Sequence, residues 1–166
     1  MHELFVIWLP SLVSAVAIFI LSSVIHQATK WHAGDVKSLP NADAFVPLMK
    51  DLAAGEYNIP GVGMVGAWGG RHHQGGAGLV KSLVGWFVYL WVVAWLAGHI
   101  AHRVLMNPNH HDIIHTVGLS AFMGYGLALV QAPIWTPRLW WPTVKNLINA
   151  LVYAFVTAYI YVWLWP

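Results

Sequence analysis

Five of the chain's ten histidines fall in one short stretch: His99, His102, His110, His111 and His115. His99 and His102 are three residues apart, His111 and His115 are four apart, and Asn107-Pro108-Asn109 lies between the pairs. Those spacings put side chains on one helical face. Two antiparallel helices joined at an Asn-Pro-Asn turn would bring the pairs together, and imidazole suits Zn, Cu, Ni or Fe. The candidate metal ligands are therefore His99, His102, His111 and His115, with Asp112 placed as an extra ligand or to orient a ring. A single helical histidine can also ligate a haem or chlorophyll-type pigment axially. The same residues have a plainer use, which is the default expectation. Histidine at a helix C-terminus complements the macrodipole, interfacial imidazoles bond water and headgroups, and Asn109 or Asp112 can cap the next helix.

The other histidines are weaker candidates. His72 and His73 stand beside Arg71 in glycine-rich surroundings, where solvated loops or acidic headgroups are the ordinary partners. His26 and His32 flank Trp31 and read as interface anchors.

The elements that would position these residues follow from composition. Of 166 residues, 58% are hydrophobic and only 8% charged, against about 25% charged in an ordinary soluble domain. Eleven tryptophans and six tyrosines suit the bilayer interface, where an amphipathic ring keeps one edge wet. A formal net charge of +2 gives no reason to expect nucleic-acid binding, and the absence of cysteine excludes disulfides, thiolate ligands and covalent c-type haem attachment. Four runs are long enough to cross a hydrocarbon core of ~30 Å. The expected fold is an all-α integral membrane protein, a single membrane domain with transmembrane helices at about 4–25, 82–102, 113–134 and 147–166 and one extramembrane segment, 26–81. The first run has no basic region before it and exceeds a signal core in length, so it reads as a retained helix.

Within the segment 26–81, Asn41 is the expected N-cap of a short helix and Gly55 its expected stop. Pro47 is expected to kink or start that helix, because it has no N–H to donate to Asp43. The glycine-rich stretch after it reads as irregular backbone and matches no phosphate-binding loop.

Basic residues set the expected orientation. Lys30, Lys37, Lys50, Arg71, Lys81, Arg138 and Lys145 fall on the side of the long segment, and only Arg103 on the side of the histidine turn. The positive-inside rule then places the long segment in the cytoplasm and the termini outside, in the periplasm of a bacterium.

Two polar stripes are expected to face protein: Ser11, Ala15, Ser22 and His26 on the first helix, and Asn146, Asn149, Tyr153, Thr157 and Tyr161 on the last. Ala94 with Gly98, and Gly124 with Ala128, are small-residue pairs four apart. Phe87, Trp91 and Trp95 form an aromatic ridge expected to face lipid or another subunit.

The stretch "WHAGDVKSLPNADA", the later "IW…W…K" loop and the closing "NALVYAFVTAYIYVWLWP" resemble a family of small, uncharacterised four-helix bacterial inner-membrane proteins. The resemblance is best over Trp31–Ala44 and Ile113–Pro166. It implies the fold and the inner-membrane location, and carries no activity.

Catalysis finds little support. None of the carboxylates Glu3, Asp35, Asp43, Asp51, Glu56 and Asp112 lies in the middle of an expected membrane helix, where a coupled transporter would place one. No Gly-x-Ser-x-Gly or His-Glu-x-x-His motif occurs. The expected role is a non-catalytic accessory or assembly subunit, with the lipid bilayer and other membrane-protein subunits as partners. The alternative is a metal- or cofactor-binding membrane protein using the turn from His99 to His115, with Zn, Cu, haem or pigment as the bound group.

Overall fold

A backbone in hydrocarbon must satisfy its N–H and C=O groups internally, and the apolar runs of this chain do so as helices. The computed structural model describes residues 6–50, 52–61, 63–67, 77–136 and 138–166. The expectations for Arg71, His72, His73 and the glycines around them lie outside those residues. In order the elements are α1 (Trp8–Gln27), α2 (Ala42–Lys50), β1 (Gly55–Ile59), β2 (Gly63–Ala67), α3 (Ala77–Val104), α4 (His110–Tyr125), a 3-10 turn (Leu127–Val130), α5 (Gln131–Trp135) and α6 (Trp140–Trp163). Four stretches are long and apolar enough to cross a membrane: α1, α3, the run His110–Trp135 and α6. The chain is a multi-pass membrane protein by that measure.

The chain divides into two units, Met1–His32 with Gly85–Pro166, and Ala33–Val84. In the first unit, α6 has two buried stripes, each repeating every four residues. Ala150, Ala154 and Ala158 form one; Lys145, Asn149, Tyr153, Thr157 and Tyr161 form the other. The alanine stripe meets glycines of the third span. A methyl added at Gly118 would touch Ala158 at 3.6 Å, and one at Gly126 would press Ala150 at 2.8 Å. Small residues thus let two backbones approach closely. From α4, Ile113, Val117, Ala121 and Tyr125 turn inward at the same spacing.

The structure departs from the sequence expectation in several places. The third span is not one helix. α4 ends at Tyr125 and the 3-10 turn intervenes before α5. Pro133, inside α5, lacks an N–H and disfavours helical geometry in the residue before it. Leu129 N–H now bonds Gly126 O at 2.9 Å, and the Gly124 carbonyl accepts from Tyr89 OH at 2.6 Å. The fourth helix begins at Trp140 rather than 147; Pro142 sits in its first turn, where a missing N–H breaks no helical bond.

The aromatic ridge of α3 also differs from expectation. Phe87 meets Phe19 of α1 edge-on at 5.8 Å between ring centres, and Trp91 donates its indole N–H to Ser11 Oγ at 3.2 Å. Phe87 and Trp91 thus touch α1 within the chain, Ser11 offering a buried acceptor that lipid lacks, while Trp91 remains 42% exposed and Trp95 stacks on His99 of its own helix.

In the second unit, α2 runs from Ala42 through Pro47, so the proline does not start it. Its lost bond would have gone to Asp43 O, in an exposed first turn that water reaches. Asn41 precedes the helix at φ +57°, a left-handed geometry that asparagine tolerates, and its carbonyl accepts from Ala44 N–H at 3.0 Å. Gly55 does not act as the helix stop; it opens β1. The expectation of irregular backbone, which begins at Asn58, fails at Asn58 and Ile59 and over Gly63–Ala67, where β1 and β2 pair antiparallel with Tyr57 opposite Val65. Pro60 and Gly61 make the turn. Gly61 has φ +79°, the conformation a type II turn demands after proline.

Candidate functional site

The structure places polar groups at both ends of the bundle and along its inside. At the end holding the expected metal ligands, Asn109 Oδ1 accepts from Asp112 N–H at 3.0 Å and Asp112 Oδ2 accepts from Asn109 N–H at 3.3 Å. This reciprocal cap starts α4 and occupies the Asp112 carboxylate locally. His111 and His115 lie together, ring centres 4.2 Å apart. His99 instead stacks on Trp95 at 5.5 Å, and His102 lies 6.4 Å from Trp165. Of the four candidate ligands, two are thus in ring contact with each other and two have aromatic neighbours of their own. Among the described residues no group of three or more His, Asp or Glu side chains is disposed to hold a metal ion. His99 Nδ1 is buried with no hydrogen-bond partner among them.

The opposite end holds an arrangement that the sequence reading missed. His26 and His32 stack with ring centres 4.5 Å apart and planes at 7°. His26 Nδ1 lies 2.8 Å from Ser22 O; since a carbonyl only accepts, that nitrogen carries the proton. His32 Nε2 lies 2.9 Å from Asn149 Nδ2; since the amide nitrogen only donates, this ring nitrogen accepts and its proton sits on Nδ1. Lys145, only 7% exposed, holds its ammonium 5.8 Å from the Trp31 ring centre and 5.9 Å from that of Trp141. Two indole faces thereby attract a cation whose alkyl stem is buried. The signal was present in the sequence: Lys145 is four residues before Asn149 and extends the polar stripe of α6 by one turn.

Between the ends the hydroxyls have local uses. Ser11 donates to Trp8 O at 2.8 Å, Ser14 to Pro10 O at 2.7 Å and Ser22 to Phe19 O at 3.0 Å. Thr157 donates to Tyr153 O at 2.9 Å, Tyr161 to Ala94 O at 2.9 Å and Tyr125 to Leu90 O at 3.3 Å. Ser22 Oγ also accepts the Trp86 indole N–H at 3.1 Å. A hydroxyl has one proton to give. Here those protons go to main-chain carbonyls, within the same helix for Ser11, Ser14, Ser22 and Thr157 and across to α3 for Tyr125 and Tyr161, while the Tyr125 and Thr157 hydroxyls also lie 3.4 Å apart. Tyr153 OH is the exception, buried without a partner among the described residues.

The expected stripes therefore face protein: Ser11, Ala15 and Ser22 are buried on α1, and Asn149, Tyr153, Thr157 and Tyr161 on α6. His26 and Asn146 are more open. The site can hold helices together and present cations and aromatic rings at one end. Comparison with protein-family models, with curated proteins and with solved structures finds no match.

Proposed function

We propose that this chain is a non-catalytic accessory or assembly subunit of a larger membrane complex in a bacterial cytoplasmic membrane. The observation that carries the reading is the surface of the Ala33–Val84 unit. Val36, Leu39, Phe45, Leu48, Ile59 and Met64 are all exposed there, in a segment whose composition gives no membrane span. Exposed apolar side chains gathered on a small unit mark a surface that gains by being covered. A lone two-stranded hairpin is also marginal in water and gains order from a neighbour. The committed interior hydroxyls and the lack of a carboxylate within the described residues of α1, α3 and α6 support a structural role over transport. The bacterial inner-membrane assignment rests on the family resemblance, and the cytoplasmic placement of the long segment on the seven-to-one division of lysine and arginine.

The test is native mass measurement after gentle extraction, combined with photo-crosslinking from Leu48 and Met64. A hetero-complex with crosslinks to one defined subunit is expected. A stable monomer in mild detergent, with both positions crosslinking only to lipid, would overturn the reading.

A further inference from the structure

The turn between α5 and α6 carries an unusual exposed surface. Trp135 is 84% exposed, Leu139 68%, Trp141 61%, Ile134 58% and Trp140 53%. Arg138 lies among them, exposed. Aliphatic side chains alone would be covered by lipid tails; three tryptophans beside a guanidinium call for a boundary. Indole has an apolar body and a donor N–H, so it settles where acyl chains meet headgroups.

Charge decides what lies at that boundary. The contacts of Trp31 and His32 with Lys145 and Asn149 place the start of α6 beside the end of α1, so Arg138, Lys145 and Lys30 belong to one end of the bundle. The single carboxylate among the described residues of this unit, Asp112, lies at the start of α4, where it serves in the cap. Arg138 and Lys30, both exposed, thus put two positive charges at this end.

We propose that the surface from Ile134 to Trp141 binds the headgroup of an anionic phospholipid. Arg138 supplies the planar fork of donors that matches a phosphate, the three indoles hold the depth at the ester level, and exposed Lys30 adds a second positive charge at the same end. A zwitterionic lipid presents the same phosphate with an ammonium beside it and is disfavoured at a cationic end. The proposal stands apart from the accessory-subunit reading, since it concerns lipid and not a protein partner.

The test uses the full chain in detergent with equal amounts of phosphatidylglycerol and phosphatidylcholine, read by native mass spectrometry. About fivefold enrichment of the anionic lipid in retained adducts is expected, the ratio one basic residue at an anionic surface produces. Arg138→Gln removes most of that enrichment, Arg138→Lys keeps part of it, and Arg103→Gln, at the other end, leaves it unchanged. Equal retention of the two lipids by the unaltered chain overturns the proposal, whatever the variants do. So does an enrichment insensitive to Arg138→Gln, or one abolished by millimolar inorganic phosphate, which would mean a site for the free ion.

Discussion

Gly98 has no side chain, and Tyr161 takes the space one would fill: a methyl built at Gly98 collides with the Tyr161 hydroxyl. That hydroxyl donates to Ala94 O one turn earlier on α3, so the small pair Ala94 and Gly98 serves as a seat for a tyrosine. We expect Gly98→Ala to cost about 1–3 kcal/mol by overpacking, and Tyr161→Phe about 0.6 kcal/mol, the average for an interhelical hydrogen bond in a membrane protein. In a Tyr161→Ala background Gly98→Ala should cost far less, because the alanine removes both the ring carbons and the oxygen that the methyl strikes. An undiminished cost in unfolding titrations would mean that the two residues do not share this contact. Asn149→Leu removes the donor to His32 Nε2 and should cost about 1 kcal/mol. In a His32→Ala background the same change should cost less. At this scale the sequence was half legible. The stripe of α6 was visible from spacing alone, but its partner His32 is far away in the chain, and no periodicity encodes a long-range bond.

At the scale of elements, hydropathy locates spans well and their ends poorly. The fourth helix starts at Trp140 because Pro142 and Lys145 are both tolerated in an opening stretch, whereas a search for apolar residues rejects them. The third span shows the reverse error, since its composition is apolar throughout while Gly126 and Pro133 break the regular geometry. The break is stable because Tyr89 OH satisfies the Gly124 carbonyl. Tyr89→Phe should then destabilise the fold by about 0.5–1.5 kcal/mol, the net worth of one hydrogen bond. Hydrogen exchange should rise first at Ala128 and Leu129. Equal protection of those amides in the variant would show that the hydroxyl does not support the turn. The hairpin is hidden in the sequence because its glycines suggest irregular backbone, although Ile59-Pro60-Gly61 between two β-prone runs is a turn signal. Gly61→Val requires φ +79° of a β-branched residue and should unfold the hairpin while sparing the spans. Limited proteolysis near Tyr57 with unchanged helical circular dichroism is the expected result.

For the whole molecule, the spans define an axis and the charges define its direction. The turn of Leu105–Asn109 lies at one end and the α5–α6 turn at the other, by the same alternation that places His32 beside Asn149. Arg103 is the single basic residue near the first turn, against Arg138 and Lys145 near the second and more in the long segment. Insertion tends to retain lysine and arginine on the cytoplasmic side, and we propose the orientation that this imbalance favours. Two exposed methionines make the test direct, because the chain contains no cysteine and Met106 and Met64 are 91% and 53% exposed. With Met106→Cys and Met64→Cys made separately, a membrane-impermeant maleimide applied to intact cells should label Cys at 106 and spare Cys at 64, which reacts only after lysis. The opposite pattern would invert the orientation and put the anionic-lipid surface in the outer leaflet, where the lysine and arginine distribution gives it no reason to be. Removing two basic residues should not turn the protein over: Arg138→Gln with Lys145→Gln leaves Lys30, Lys37, Lys50, Arg71 and Lys81 on the side of the long segment, so the labelling pattern should hold, and lipid retention rather than topology should change.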